Sequence, residues 1–221
     1  MASCPWSAEN ATKAFLHTLK MGKKRGNLAK EPNVAEFIAA LAAGKNAQLM
    51  VMACAGNAGS TTLALGAAAH QTGGRAICIL KGYKELHASR KALERYSDAI
   101  EFVIGDPKTL LLSNDYQDAD FVLIDCKMDD HKQLWLAAKK VLHHKDALVV
   151  GYNAVHSSPR MPDLKAHFLP IGNGLLVSRL SMEDKYRDGC GKKSRWVVKV
   201  DALTGEEHVY RITSPAQMLK V

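Results

Sequence analysis

A short run of small residues, directly after an apolar segment, is the part of this sequence whose residue types best suit ligand binding. It follows the run Leu49–Cys54 and precedes a helix-like segment, Ser60–Gln71. Glycine has no Cβ, so a turn of this composition lets the backbone approach a ligand closely. The pattern predicts either a ligand-binding turn or a tight turn that serves packing alone. The candidate cofactor-binding residues of this turn are Ala55, Gly56, Asn57, Gly59 and Ser60.

Ionisable residues that follow other apolar runs could face the same ligand. Lys81 ends the run Ala76–Leu80, and its ammonium group, which only donates hydrogen bonds, favours a phosphate or a carboxylate. Glu85, one helical turn later, could supply an acceptor instead. His156 follows the predicted fifth strand at the ligand-binding edge, and it is the best candidate for a general base.

A βαβ unit must position these residues. The stretch Gln48–Lys81 contains a strand, a tight turn, a helix and a second strand, which is the order found in parallel sheets. Ligands bind to such sheets at the carboxyl ends of the strands, near the first turn. The sequence therefore predicts a small-molecule site at that edge of the sheet.

Further helices and strands alternate on both sides of this unit. Two helices precede it: Ser7 caps the first, which reaches about Met21, and the second begins near Pro32 and ends at Gly44. The elements predicted after it are, in order, a helix (Lys84–Tyr96), a strand (Ile100–Ile104), a short helix or turn (Leu110–Leu112), a strand (Asp120–Asp125), a helix capped by Asp129 or Asp130, and a strand (Ala147–Tyr152).

The C-terminal part of the sequence changes to antiparallel signals. Hairpins are predicted over Phe168–Leu180 and over Arg195–Ile212, and the exposed edge of the second could pair with another chain in a homo-oligomer. The whole pattern predicts an α/β fold with a mostly parallel central sheet and antiparallel C-terminal strands. We divide it into N-terminal helices (1–47), a core (48–181) and a hairpin extension (182–221), all in one globular domain.

The composition is that of a globular protein rather than a membrane protein. The 221 residues are 47% hydrophobic and 24% charged, and no apolar run approaches the roughly 20 residues that span a bilayer. The first ten residues lack the apolar core of a signal peptide, so we expect a cytoplasmic or nuclear protein. Five scattered cysteines, including Cys126 beside Asp125, predict buried free thiols in a reducing compartment.

The net charge of +8 raises the question of an acidic partner. Much of the excess lies in Lys20–Lys30, which is a solvated basic linker or a weak run of the nuclear-localisation type. A nucleic-acid partner is the alternative, although no recognised nucleic-acid motif accompanies the charge.

Four segments carry a resemblance to a known class of enzymes. They are Gly59–Leu63 (GSTTL), Asp120–Asp125 (DFVLID), Leu148–Asn153 (LVVGYN) and Leu169–Leu175 (LPIGNGL). With the order of elements, they make the sequence resemble the class I S-adenosylmethionine-dependent methyltransferases of the caffeoyl-CoA and catechol O-methyltransferase type. This resemblance implies a Rossmann-like methyltransferase fold and S-adenosylmethionine as the cofactor.

A second resemblance covers nearly the full length of the chain. The segments Trp6–Ala14, Val34–Glu36 and Ala42–Ala47 are similar to a group of plant proteins of unknown function that are classed as methyltransferase-like. This resemblance supports the same fold and implies no particular activity.

The methyltransferase resemblance also implies roles for single residues. It places Asp125 near the reaction centre and Asp106 beside the adenine, although Asp106 also fits a plain turn. The family has a carboxylate where this chain has Lys81. It also holds a divalent cation with the fourth-strand aspartate and an Asp-Asn pair, where this chain has Asn153 and Ala154. Because one carboxylate and one amide suit a hard cation poorly, we predict no metal site.

Three hypotheses about function follow. The first is methyl transfer from S-adenosylmethionine to an unidentified acceptor, with degenerate donor and metal motifs. The second is a catalytically inactive binding or interaction protein that keeps the methyltransferase fold. The third uses Lys81 and the basic segment Lys20–Lys30 to bind an anionic ligand or nucleic acid.

Overall fold

The computed structural model describes residues 6–24, 34–142, 146–156, 166–180, 194–200 and 207–213. The chain divides into two compact units, Met1–Ser181 and Met182–Val221. The α-helices of the first unit are α1 (Ala8–Lys24), α2 (Val34–Gly44), α3 (Ser60–Thr72), α4 (Tyr83–Leu93), α5 (Pro107–Leu112) and α6 (His131–Leu142). Its strands are β1 (Leu49–Ala53), β2 (Arg75–Leu80), β3 (Glu101–Ile104), β4 (Phe121–Asp125), β5 (Ala147–Tyr152), β6 (His167–Leu169) and β7 (Leu175–Leu180).

The seven strands of the first unit form one sheet in the order β3-β2-β1-β4-β5-β7-β6. Strands β1 to β5 run parallel, whereas β7 pairs antiparallel with both β5 and β6. The predicted α/β fold, mostly parallel with antiparallel C-terminal strands, is therefore confirmed. The order reverses direction between β1 and β4, so the carboxyl ends of those strands flank the switch point where ligands bind.

Apolar side chains cover both faces of the sheet. One face, which includes Met50 and Met52 of β1, packs against α1, α2 and α3. The opposite face, which includes Val51 and Ala53 of the same strand, packs against α5 and α6. Because successive side chains of a strand point to opposite faces, the continuous apolar runs of β1, β4 and β5 are those of strands buried on both sides.

The N-terminal helices agree with the sequence-based expectation where the structure describes them. Ser7 caps α1, since its Oγ accepts a hydrogen bond of 3.2 Å from the backbone N–H of Asn10. Helix α1 continues to Lys24, beyond the predicted end at Met21, and α2 ends at Gly44 as predicted. The predicted position of Pro32 lies outside the described residues.

Helices α4 and α5 also differ from their predicted bounds, and each difference has a local cause. Helix α4 ends at Leu93 rather than Tyr96, because Glu94 takes a φ of 50° and a 3₁₀ turn over Glu94–Ala99 follows. Helix α5 is longer than Leu110–Leu112 because Asp106 caps it and Pro107 occupies its first turn. Proline suits that position, where its missing N–H would have no helical partner.

The second unit contains the predicted second hairpin. Strands β8 (Ser194–Val200) and β9 (Glu207–Thr213) pair antiparallel, from Ser194 opposite Thr213 to Val200 opposite Glu207. The proposal that all parts of the chain form one globular domain stays a prediction. Among the helices that the structure describes, none is long and apolar enough to cross a membrane.

Candidate functional site

A cavity of about 380 Å³ opens at the carboxyl edge of the sheet. It lies between the N-terminus of α3, the ends of β4 and β5, and the turn between β6 and β7. Of the lining residues that the structure describes, all but one are polar or glycine. They are Val34, Asn57, Gly59, Ser60, Thr61, Asp125, Tyr152, Asn153, Gly172 and Asn173. A polar ligand therefore suits this cavity better than an apolar one.

The cavity accounts for the glycine at position 59, where a side chain would project into free space. The φ of −143° at Gly59 lies outside the left-handed region that favours glycine. A Cβ added at Gly59 would meet no atom within 4 Å, and the same holds at Gly56 in the same turn. Close packing therefore does not explain these glycines, and the free space above the turn fits a ligand that lies against the backbone.

A serine from α4 holds this turn in place. Ser89 is fully buried, and its Oγ accepts a hydrogen bond of 2.8 Å from the backbone N–H of Ala58. The same hydroxyl donates to the carbonyl oxygen of Glu85 at 2.6 Å. The sequence analysis missed this residue. The available signal was a serine on the inward face of α4, between Leu86 and Leu93, where a buried hydroxyl needs partners.

Asp125 forms the centre of a hydrogen-bond network on the opposite wall. Its carboxylate accepts from the Tyr152 hydroxyl at 2.9 Å, from Asn153 Nδ2 at 2.9 Å and from the backbone N–H of Lys127 at 3.1 Å. The side chain of Asn173 in turn donates to Asn153 Oδ1 at 3.4 Å. The network fixes the wall of the cavity, because each member is oriented by the next.

A pair of thiols continues the network below the cavity. Cys54 Sγ lies 4.0 Å from the Tyr152 hydroxyl. Interaction with the buried thiol of Cys78 lowers the pKa of Cys54 and raises the pKa of Cys78. Burial raises the pKa of Tyr152 far above its ordinary value. Tyr152 therefore keeps its proton and acts as a donor to Asp125, not as a base.

The cation site implied by the methyltransferase resemblance does not fit these residues. Both oxygens of Asp125 already accept from donors, and the Asn153 group that faces Asp125 is an NH₂, which cannot ligate a cation. Within the described part of the chain, no three His, Cys, Asp or Glu side chains come together as a metal site. An amide hydrogen bond stands where the family would place an ion between two carboxylates.

Asn153→Asp is expected to turn this hydrogen bond into a cation site. The variant would place two carboxylates side by side, so it should be less stable than the wild type in EDTA. Mn²⁺ at a hundredfold excess over its dissociation constant should then raise the free energy of unfolding by about 2.7 kcal/mol. Thermal unfolding with and without Mn²⁺ measures both effects.

Asn173→Asp is the matched control for that experiment. It adds the same charge to the same cavity, but next to Asn153 rather than next to Asp125. We expect no Mn²⁺ stabilisation of this variant or of the wild type. A wild-type protein stabilised by Mn²⁺ as strongly as Asn153→Asp would contradict the interpretation of the Asn153 hydrogen bond.

The structure brings some of the predicted site residues together and leaves others apart. Asn57, Gly59, Ser60 and Asp125 line the cavity. Ala55 and Gly56 belong to the same turn but are not among the lining residues. The side chain of His156 is not described, although its backbone lies in a short 3₁₀ turn over Ala154–His156 after β5.

Asp106 and Lys81 lie outside the cavity. The Asp106 carboxylate accepts from the backbone N–H of Thr109 at 2.8 Å and from its hydroxyl at 2.6 Å, and these bonds lower the pKa of Asp106. Lys81 is exposed at the end of β2. The neighbouring acid is Glu85, whose Oε2 lies 3.1 Å from the position that a Cβ of Gly82 would take. Glu85 therefore places a carboxylate beside the end of β2.

The order and directions of the strands are those of a Rossmann-like methyltransferase fold, and solved structures have the same fold. A methyltransferase from Geobacter sulfurreducens is 22% identical, with a TM-score of 0.50, over 76% of this chain and 89% of that one. An O-methyltransferase from Bacillus cereus, solved with SAH, is 16% identical, with a TM-score of 0.51, over 76% of this chain and 90% of that one. The O-methyltransferase TomG from Streptomyces achromogenes, solved with SAM, is 16% identical, with a TM-score of 0.53, over 76% of this chain and 90% of that one.

The sequence itself matches one family. The chain belongs to the family described as "Protein of unknown function (DUF1442)", whose profile matches residues 3–212. No curated protein matches the sequence.

Proposed function

We propose that this protein binds S-adenosylmethionine in the cavity and transfers its methyl group to an unidentified acceptor without a divalent cation. One observation carries the proposal. The cavity lies at the carboxyl edge between the Gly59 turn and the Asp125–Tyr152 wall, and the side chain that glycine lacks would project into free space. The same edge of the fold binds ligands in other α/β proteins of this type.

The amino-acid end of the cofactor suits the N-terminus of α3. The first backbone N–H groups of a helix and its dipole favour an anionic group, and here Ser60 and Thr61 add hydroxyls at the cavity wall. Asp125, on the opposite wall, is the one carboxylate among the described lining residues and favours a positive charge. The amino group and the sulfonium of the cofactor are the groups that would benefit from it.

The ribose end requires a different residue from the usual one. Lys81 has donors only, so it cannot accept hydrogen bonds from the two ribose hydroxyls. Glu85 carries the nearby carboxylate, and its side chain reaches back over Gly82 at the end of β2. We assign the ribose contact to Glu85 and leave Asp106, whose carboxylate already caps α5, outside the cofactor site.

When bound, S-adenosylmethionine supplies an electrophilic methyl group on a positively charged sulfur. The chain must then provide an acceptor site and remove a proton where the acceptor needs it. Tyr152 is unsuited to that task because burial raises its pKa. His156 stays the predicted base, since it follows β5 at the same edge of the sheet.

The second candidate function is a binding protein that keeps the methyltransferase fold without catalysis. The hydrogen bonds of Asp125 favour it, because both carboxylate oxygens are already engaged by neighbouring donors. The two candidates share the ligand and differ in turnover. Slow production of S-adenosylhomocysteine in the presence of candidate acceptors would favour transfer, and tight binding without turnover would favour the binding protein.

Calorimetric titration with S-adenosylmethionine and S-adenosylhomocysteine tests the shared part of both candidates. We expect measurable binding by the wild type. Gly59→Leu places a branched side chain in the space above the turn, so it should weaken binding at least about tenfold, equivalent to about 1.4 kcal/mol.

Leu136→Trp is the control for this substitution. Leu136 is 56% exposed on α6, away from the cavity, so a bulky side chain there should leave affinity unchanged. Circular dichroism melts confirm that both variants fold. The proposal is wrong if the folded wild type gives no heat and no thermal shift at millimolar ligand.

A further inference from the structure

The outward side of α4 carries a cluster of basic residues around one exposed aromatic ring. At 100° per residue, positions 83, 84, 87, 90 and 91 lie within an arc of about 120° on the helix surface. The residues at these positions are all exposed. We call them the α4 basic face: Tyr83, Lys84, His87, Arg90 and Lys91.

Acidic residues do not neutralise this face. Glu85, the one acid within α4, lies outside the arc and reaches back towards Gly82. Some exposed cations elsewhere in the described regions do have carboxylate partners, as in the Arg75–Glu101 pair at 2.6 Å. Lys84, Arg90 and Lys91 have no ion pair with any described residue.

Buried residues on the inward side of α4 keep the α4 basic face turned towards solvent. Leu93 and Ser89 are fully buried against the sheet and the Gly59 turn. The helix is therefore held in one orientation, with its cations on a fixed surface. Lys81, exposed at the end of β2 just before α4, extends this surface towards the carboxyl edge of the sheet.

The chemistry of the face selects a polyanion with flat groups. Unpaired lysine and arginine side chains attract phosphates, and binding releases the counterions of the polyanion. Tyr83 is 81% exposed among these cations, which suits stacking on an unpaired base. An anionic membrane would require several apolar side chains on the same face, and here Tyr83 stands without an aliphatic neighbour in the arc.

We propose that the α4 basic face binds single-stranded nucleic acid. Lys84, Arg90 and Lys91 contact backbone phosphates, and Tyr83 stacks on a base. This inference goes beyond methyl transfer and does not depend on it. It concerns a surface separate from the residues that line the cavity.

Fluorescence anisotropy with a labelled oligouridylate tests the proposal. The probe should be about 20 nucleotides long, more than the roughly 4–16 nucleotides that known single-strand folds cover. Three phosphate contacts predict a slope of about −2 for log K against log salt concentration. The triple variant Lys84→Gln/Arg90→Gln/Lys91→Gln should lose at least tenfold in affinity and flatten this slope.

A second triple variant controls for net charge. Lys13→Gln/Lys132→Gln/Lys140→Gln removes three positive charges from exposed positions on α1 and α6. We expect its affinity for the oligonucleotide to stay within about twofold of the wild type. Equal losses in both triple variants would overturn the assignment to α4, as would the absence of binding by the wild type at low salt.

Tyr83 provides an independent readout. Tyr83→Ala should weaken binding about tenfold without changing the salt slope, because stacking releases no counterions, whereas Tyr83→Phe should retain the affinity. Unchanged binding by Tyr83→Ala would contradict the stacking role. Preferential binding of phosphatidylserine vesicles over the oligonucleotide would overturn the choice of partner.

Discussion

Gly74→Ala is expected to lower the free energy of unfolding by about 3 kcal/mol, within the range for overpacked interiors. A Cβ at Gly74 would lie 2.7 Å from the carbonyl oxygens of Ala47 and Gln48 and 2.8 Å from the Cα of Gln48. All three atoms belong to the backbone, so no side-chain rotation relieves the contact. Chemical denaturation monitored by circular dichroism measures the loss.

The backbone at this point has little freedom to move away. The N–H of Arg75 donates to the carbonyl of Gln48 at 2.8 Å, and Leu49 pairs with Arg75 where β1 and β2 begin. A shift that accommodates the methyl group would therefore disturb the first pair of the central βαβ unit.

Gly73→Ala is the matched control because the two glycines are neighbours with different constraints. Gly73 ends α3 with a φ of 71°, and a Cβ there would meet no atom within 4 Å. Its substitution should cost about 1 kcal/mol, the usual penalty of the left-handed conformation. A loss for Gly73→Ala as large as that for Gly74→Ala would show that conformation, not close approach, governs this turn.

Burial made the central strands predictable from sequence. Strand β5 has the predicted bounds, Ala147–Tyr152, and every residue in it is buried. Strand β4 differs from the prediction by its first residue alone. A strand covered on both faces is apolar at nearly every position, so a continuous apolar run in the sequence indicates such a strand.

Single-residue conformations and contacts between distant residues could not be predicted in the same way. The composition of Lys84–Tyr96 does not predict that Glu94 takes backbone angles outside the helical range. Ser89 meets the turn at Ala58, 31 residues away, through a hydrogen bond that depends on how α4 packs against β2 and β3. Sequence periodicity places a residue on a face, whereas the identity of its partner follows from the assembled fold.

The site illustrates the same division. The small-residue turn after β1 could be located because strand, turn and helix follow one another in sequence. That Asn153 donates to Asp125 could not, although both residues were singled out, because an amide can turn either its donor or its acceptor towards a neighbour. Lys81 was predicted to favour an anion, and in the structure it adjoins the α4 basic face rather than the cavity.

Asp125→Ala is expected to lower the free energy of unfolding by about 3 kcal/mol or more and to abolish cofactor binding in the titration described above. The substitution removes the acceptor of the Tyr152 hydroxyl, of Asn153 Nδ2 and of the backbone N–H of Lys127. Asp125 is 6% exposed, so water cannot easily replace its oxygens. Each buried donor left without a partner costs about 1–3 kcal/mol.

Asp106→Ala shows how much of the effect of Asp125→Ala is due to the burial of Asp125. Asp106 also accepts from a backbone N–H and a hydroxyl, but at the exposed start of α5, so its loss should cost about 1 kcal/mol. Because these bonds lower the pKa of Asp106, its contribution is present above the unfolded pKa. The difference between the wild type and Asp106→Ala should therefore shrink as the pH falls through the folded pKa.

The two aspartates separate a structural role from a cofactor role. Asp106→Ala should leave S-adenosylhomocysteine affinity unchanged, since Asp106 does not line the cavity. Asp125→Asn preserves the shape of the side chain but turns one acceptor into a donor, so it should recover part of the stability and little of the affinity. Full affinity in a folded Asp125→Asn variant would mean that the ligand does not use the negative charge of this wall, and the methyl donor would then have to lie elsewhere along the carboxyl edge.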